Sequence, residues 1–157
     1  RYAPGGTDNW ENLFLQRSAS HPWCGMRNMA ALIGSGLMDR YPKLRIGTLE
    51  AGHGWLPFWM ARIDEHARTI RSEIPNLKMM PSEYVLSGRY FQSIEVPEGE
   101  KLTKAVMDLV GDDILMYASD YPHWQFDGDE VLPKGLSPAM VRKIMVDNPL
   151  ATYSRLR

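Results

Sequence analysis

The residues best suited to chemistry in this sequence follow an apolar run near its carboxyl end. Residues 113–123 read DILMYASDYPH, and their apolar part predicts a buried strand that ends at Asp120. Pro122 stops the strand, because its ring fixes φ and removes a backbone donor. The imidazole of His123 can then turn back over the end of the strand. Enzymes with parallel sheets keep their catalytic groups at such strand ends, so Asp120 is the first candidate catalytic residue.

Two further predicted strands also end in acidic residues. Glu50, with His53 close behind it, follows the predicted strand 44–49, and Glu95 follows the predicted strand 89–94. If the strands are parallel, these side chains lie at the same edge of one sheet. Each acid taken alone could equally be a solvated loop residue, but three strand ends with an acid each exceed what chance predicts.

Carboxylate and imidazole groups together are suited to Zn²⁺ and similar divalent ions. Such an ion lowers the pKa of bound water to about 7, and a carboxylate beside it can accept the proton. Metal sites need three or four protein ligands, so this chain by itself is expected to hold an incomplete site. His21 is a weaker candidate, because its Ser-His-Pro context predicts a packed or capping residue at a helix start. Cys24 lacks a Cys partner and lies near an apolar stripe, which disfavours a catalytic thiol.

The pattern of elements predicts an α/β fold. Residues 1–20 are expected to form a loop, Ser20 to cap a first helix, and strands to alternate with helices up to a last helix that starts at Ser137 and ends at 147–149. A complete (β/α)₈ barrel takes about 250 residues, so the 157 residues are too few for one. Three or four βα units fit the carboxyl-terminal half of such a barrel, as a single partial domain over 1–157. The first residue, which is not Met, also suggests a piece of a longer chain.

The composition of the chain limits which partners and which environment are expected. The formal net charge of −1 gives no sign of a nucleic-acid or membrane surface, and no apolar run approaches 18 residues. The single cysteine excludes an internal disulfide and fits a reducing, cytoplasmic environment. We expect a small-molecule substrate and no membrane or nucleic acid. Homo-oligomerisation stays possible, because three strands leave edges that favour pairing.

Four segments resemble one known family. Residues 39–58 (DRYPKLRIGTLEAGHGWLPF), 81–84 (PSEY), 118–123 (ASDYPH) and 147–153 (DNPLATY) are similar to the amidohydrolase-related family of metal-dependent hydrolases and decarboxylases, in the branch of aminocarboxymuconate-semialdehyde decarboxylase. The similarity runs from about residue 20 to the end of the chain. Segments 118–123 and 147–153 together are fairly specific for this family, whereas either segment alone would be weak evidence.

The resemblance implies a (β/α)₈ barrel with a divalent metal, usually zinc, at its carboxyl face. It implies that Asp120 binds this metal and takes part in proton transfer. The family's other ligands, a His-x-His pair from the first strand and a His from the fifth, are absent from these residues. Decarboxylase members carry a catalytic His in an A-H-G-G-G run, and the matching position here is Ala51. Either His53 reaches in from another backbone position, or Glu50 substitutes, or the chemistry differs.

We therefore predict a metal-dependent enzyme of this family that hydrolyses a C–N or C–O bond of a small organic, carboxylic substrate. Non-oxidative decarboxylation of an aromatic or unsaturated acid is the first alternative, and an inactive half-barrel that pairs with another chain is the second. The predicted catalytic residues are Asp120, which is also the metal ligand, and His53. The predicted pocket residues are Glu50, Trp55, His123 and Trp124.

Overall fold

The first described element is a long helix that starts earlier than the sequence predicted. The computed structural model describes residues 10–119, 121–122, 132–153 and 155. Helix α1 spans Leu13–Gly34, and the Asn12 side chain caps it by accepting from the Leu15 amide at 2.9 Å. The predicted loop up to residue 20 and the cap at Ser20 are wrong, because this cap lies upstream and the helix continues through Pro22. The short helix α2, Leu37–Arg40, follows.

Three short strands among the described residues form one parallel sheet. Strands β1 (Ile46–Thr48), β2 (Tyr90–Ser93) and β3 (Leu115–Met116) lie in the order β1-β2-β3. The register pairs Thr48 with Gln92 and Ser93 with Met116. This arrangement confirms the predicted α/β class with parallel strands, although each strand is shorter than its apolar run suggested.

Helices connect the strands in the predicted alternation. Helix α3 (Leu56–Thr69) and the short α4 (Pro81–Tyr84) lie between β1 and β2, and α5 (Gly99–Val110) lies between β2 and β3. Single helical turns at Arg71–Glu73, Val85–Arg89 and Val96–Glu98 complete these connections. None of the helices within the described ranges is long and apolar enough to cross a bilayer.

The carboxyl-terminal helical segment is longer than predicted. Helix α6 (Pro138–Arg142) begins at the predicted cap, where the Ser137 hydroxyl accepts from the Met140 amide at 3.2 Å. A wider turn, Lys143–Asp147, and α7 (Asn148–Thr152) continue it past the predicted end. Asn148 is buried, and its Nδ2 donates to the carbonyls of Asp112 and Leu115, both at 2.6 Å. A residue with turn propensity thus anchors the helix to β3.

The hydrophobic core lies between the sheet and the helices. Helices α1 to α5, strands β2 and β3 and the turn Lys143–Asp147 contribute buried residues to this core, which include Met29, Leu56, Tyr90, Val106, Leu115 and Ile144. Because a strand's side chains alternate between its two faces, Phe91 and Ser93 project to the face opposite Tyr90 and Gln92. All four are buried, so β2 is covered on both faces.

Candidate active site at the carboxyl end of the sheet

The structure brings two of the predicted acids to one edge of the sheet. Glu50 follows the end of β1 by two residues, and Glu95 follows the end of β2 by two residues. Thr48 of β1 is paired with Gln92 of β2 in parallel register. Both acids therefore leave the sheet at its carboxyl edge. Asp120, His123 and Trp124 lie outside the described residues, so their predicted roles stay predictions.

A cavity of about 530 Å³ lies between α1 and this end of β1. Glu50 is the predicted pocket residue that lines it. The cavity is lined by His21, Cys24, Gly25, Asn28, Ala31, Leu32, and residues 46–51. The Ser-His-Pro context of His21 and the missing Cys partner of Cys24 had disfavoured both residues, yet both line the cavity. The spacing of residues 21, 24 and 28 puts these polar side chains on one helical face, and that spacing was the signal available in the sequence.

The backbone of Glu50 is left-handed, with φ of 56°. A non-glycine residue in this region is uncommon and persists where its surroundings hold it. The Glu50 amide donates to the Ser93 hydroxyl at 2.9 Å, and Ser93 is fully buried. The acid at the cavity therefore has a backbone fixed by the neighbouring strand.

Strand β2 also holds the turn that follows Glu50. The Gln92 Nε2 donates to the Gly52 carbonyl at 2.6 Å, and the Gln92 Oε1 lies 2.8 Å from the Tyr90 hydroxyl. That hydroxyl is also 2.9 Å from the Thr48 hydroxyl. Burial raises the pKa of Tyr90 far above its ordinary value, and the hydrogen bond with Thr48 offsets only part of that rise. A protonated phenol at neutral pH thus supports the amide that fixes Gly52.

His53 is fully buried and is not among the described residues that line the cavity. Its Nε2 lies 2.9 Å from the Thr103 Oγ1, and its Nδ1 lies 2.5 Å from the Glu98 Oε2. The Glu95 amide is also 3.2 Å from Nδ1, but one nitrogen cannot both donate to Glu98 and accept from Glu95. A proton on Nδ1 explains the shorter contact. The predicted catalytic role of His53 stays untested, and this geometry favours a structural role instead.

Trp55 closes the same turn. Its indole Nε1 donates to the Ala51 carbonyl at 2.7 Å, and the half-buried ring packs against the hydrophobic core. A Cβ placed on Gly25 of α1 would lie 3.2 Å from the Trp55 ring, so the ring lies against that helix. Trp55 is not among the described residues that line this cavity, and its place in a pocket wall stays a prediction.

The Glu98 carboxylate is the sequence-remote group that holds this turn. Its Oε2 accepts from the His53 amide at 2.7 Å, and both its oxygens lie within 3.3 Å of the Gly54 amide. Burial alone would raise the pKa of Glu98, but hydrogen bonds from the His53 side chain and backbone bring the pKa below its ordinary value. Glu98 lies 45 residues from His53, and no local pattern in the sequence pointed to it.

The described residues do not form a complete metal site. Within the ranges that the structure describes, no group of three or more His, Cys, Asp or Glu side chains is placed to hold an ion. The ring nitrogens of His53 both have other partners, so this imidazole is unavailable as a ligand. A metal at this edge would require donors outside the described residues.

A scan of protein families identifies one match across most of the chain. The model of the amidohydrolase family matches residues 20–155. No curated protein matches this chain significantly.

Several solved structures are similar over most of the chain. An amidohydrolase from Mycobacterium avium subsp. paratuberculosis is 24% identical with a TM-score of 0.69, over 88% of this chain and 35% of its own. A dihydroxybenzoic acid decarboxylase from Polaromonas, with bound manganese and 2-nitroresorcinol, is 22% identical with a TM-score of 0.69, over 88% and 42%.

A third similar structure is a 5-carboxyvanillate decarboxylase from Novosphingobium aromaticivorans with bound manganese. It is 26% identical with a TM-score of 0.68, over 91% of this chain and 44% of its own. This chain therefore spans less than half the length of each of these three proteins.

Proposed function

This chain belongs to the amidohydrolase family, and on that premise we propose that it forms part of the active site of a metal-dependent, non-oxidative decarboxylase. The substrate would be an aromatic or unsaturated carboxylic acid. The sequence favoured hydrolysis, with decarboxylation as the first alternative. Similar structures described as decarboxylases of benzoic acids support the reverse order.

The observation that carries the proposal is the convergence of strand ends. Glu50 and Glu95 leave parallel strands at one edge, and a large cavity opens beside Glu50. Strand β3 is paired in parallel with β2, and Asp120 follows it in sequence. Catalytic groups in barrels lie at this carboxyl edge. The parallel order β1-β2-β3, with a helix in each connection, supports a three-unit portion of a (β/α)₈ barrel.

The proposed roles follow from this placement. Asp120 would act at the reacting carbon, the one that carries the carboxylate. The bond between that carbon and the carboxylate breaks, the carboxylate leaves as CO₂, and a proton bonds to the carbon in its place. Glu50 would line the substrate cavity with His123 and Trp124. Asp120 would also be a ligand of the divalent metal. Manganese in similar structures supports a divalent ion without favouring zinc. Because the described residues do not complete a metal site, we assign no chemical step to the ion.

Isotope experiments separate this reaction from its alternatives. The protein, supplied with Mn²⁺, would be incubated with a panel of hydroxylated benzoic acids carrying a ¹³C-labelled carboxyl group. Decarboxylation releases labelled CO₂ and, in D₂O, places deuterium on the ring carbon. Hydrolysis instead incorporates ¹⁸O from labelled water into a product of an amide or ester panel. If neither product forms although Mn²⁺ is bound, the result would favour the inactive half-barrel.

A variant at Asp120 tests its proposed role. Asp120→Asn should lower the rate of CO₂ release by about 10²–10⁴-fold, since a positioned acid or base contributes that much. Asp113→Asn is the matched control, because it removes the same charge from an exposed residue that pairs with Lys143. Equal rates in the two variants would contradict the assignment of Asp120.

A further inference from the structure

Two successive backbone amides after β1 converge on one carboxylate. The His53 amide lies 2.7 Å from the Glu98 Oε2, and the Gly54 amide lies 3.2 Å from Oε2 and 3.3 Å from Oε1. Successive N–H groups that point into one concavity form an anion-binding nest. Here the anion is a side chain of the same protein, Glu98, supplied by the short turn that follows β2.

Glycines give this nest its shape. A Cβ on Gly52 would lie 2.8 Å from the Glu98 Oε1, closer than real Cβ contacts occur. A Cβ on Gly54 would lie 2.5 Å from the Leu102 Cδ2 and 3.3 Å from the same carboxylate oxygen. A side chain at Gly52 would therefore crowd the carboxylate directly, whereas one at Gly54 would first displace Leu102.

The His53 imidazole completes the cradle. Thr103 donates its single hydroxyl proton to the Gly99 carbonyl at 3.0 Å, so at 2.9 Å the His53 Nε2 is the donor to Thr103. The 2.5 Å contact of Nδ1 with the Glu98 Oε2 also requires a proton between the two atoms. Both ring nitrogens therefore have partners, and one of these partners is the carboxylate in the nest.

We propose that the amides of His53 and Gly54, with the His53 imidazole, form a carboxylate-binding site, and that Glu98 fills it to hold Glu50 at the cavity. Glu98 is thus a positioning residue. The turn 50–54 links the two, because Gly52 is fixed by Gln92 and the Glu50 amide by Ser93. With the carboxylate in the nest, the amides of Glu50, His53 and Gly54 and the carbonyl of Gly52 all have side-chain partners. This proposal does not depend on which reaction the protein catalyses.

Chemical rescue tests the site directly. Glu98→Ala removes Cγ, Cδ and both carboxylate oxygens, which are the heavy atoms of an acetate ion. In the variant, amides of a peptide covering 50–56 should exchange with deuterium at least about tenfold faster than in the wild type, because the bonds to a charged acceptor are lost. Sodium acetate should restore their protection, whereas sodium chloride at the same ionic strength should not.

A charge-matched control excludes general effects of acetate. Glu100→Ala removes an acid two positions along the same segment, where Glu100 pairs with Lys104 across one turn of α5. Its turn 50–54 should exchange at the wild-type rate, with or without acetate. Wild-type exchange in Glu98→Ala, or equal effects of acetate and chloride, would overturn the proposal.

A milder variant keeps the proposal testable if Glu98→Ala does not fold. Glu98→Gln retains one acceptor oxygen but loses the charge, so exchange should rise in 50–56 and stay unchanged in β2 and α5. A uniform rise over all three segments, or none at all, would contradict the proposed local site. Because exchange is read without substrate, a failure of the decarboxylase assignment leaves this test intact.

Discussion

Replacing Gly52 with alanine should destabilise the protein more than replacing Gly88, although the two glycines have nearly the same φ, 70° and 73°. Left-handed backbone costs alanine about 1–2 kcal/mol at either position. A Cβ at Gly88 meets nothing within 4 Å, whereas a Cβ at Gly52 lies 2.8 Å from the Glu98 Oε1. Only Gly52→Ala must therefore displace the carboxylate.

The displaced carboxylate sets the size of the difference. A hydrogen bond to a charged group contributes about 1.5–3 kcal/mol, so Gly52→Ala should cost about 2.5–5 kcal/mol in total. Gly88→Ala should cost about 1–2 kcal/mol. For a protein of this size, 1 kcal/mol corresponds to about 2–4 °C, which predicts melting temperatures that differ by about 3–12 °C.

Thermal and urea unfolding, followed by circular dichroism, would measure both variants beside the wild type. Comparing the two glycines removes the shared backbone strain and leaves the contact with Glu98. If Gly52→Ala melts at the same temperature as Gly88→Ala, the carboxylate does not hold the turn, and the reasoning about this contact fails.

Three more predictions follow from buried polar groups. Because the pKa of Glu98 is lowered, its stabilising charge is present above its ordinary pKa of about 4.5 and is lost as the pH falls through the lowered value. The free energy of unfolding of the wild type, measured with urea between pH 7 and pH 3, should therefore fall at acid pH by an amount that Glu98→Gln lacks. Identical pH profiles for the two proteins would contradict this. Asn148→Ala should cost about 1–3 kcal/mol in the same assay, since the carbonyls of Asp112 and Leu115 lose their donor; a change under about 0.5 kcal/mol would count against that role. Because burial raises the pKa of Tyr90, its phenolate absorbance should appear only well above the ordinary tyrosine pKa of 10.0, and subtracting the titration of Tyr90→Phe would reveal an ordinary value if the hydroxyl is in fact solvated.

The local pattern of residues predicted the α/β class and most of its elements. Strands alternate with helices as predicted, and Ser137 caps α6 at the predicted position. These features depend on neighbours within one or two turns of the chain, so the sequence encodes them directly. The same is true of the acids that follow each strand.

The start of α1 was mispredicted because the sequence contains two competing local signals for a helix start. Ser20 and Pro22 give a strong start signal, but the Asn12 cap upstream is satisfied and the helix continues through the proline. His21 was consequently assigned to a helix start instead of a helical face beside the cavity. When two local signals for a helix start are of similar strength, tertiary packing decides between them. A short segment of sequence carries no information about that packing.

Sequence alone determined the family, the parallel α/β arrangement and the acids at the strand ends, because residue types and short-range periodicity carry that information. Only the tertiary structure decided what surrounds those acids. It buried His53, turned Glu50 into a left-handed conformation and brought Glu98 onto the amides of His53 and Gly54. These outcomes depend on contacts between residues more than 40 positions apart, which form only when β1, β2 and α5 pack together.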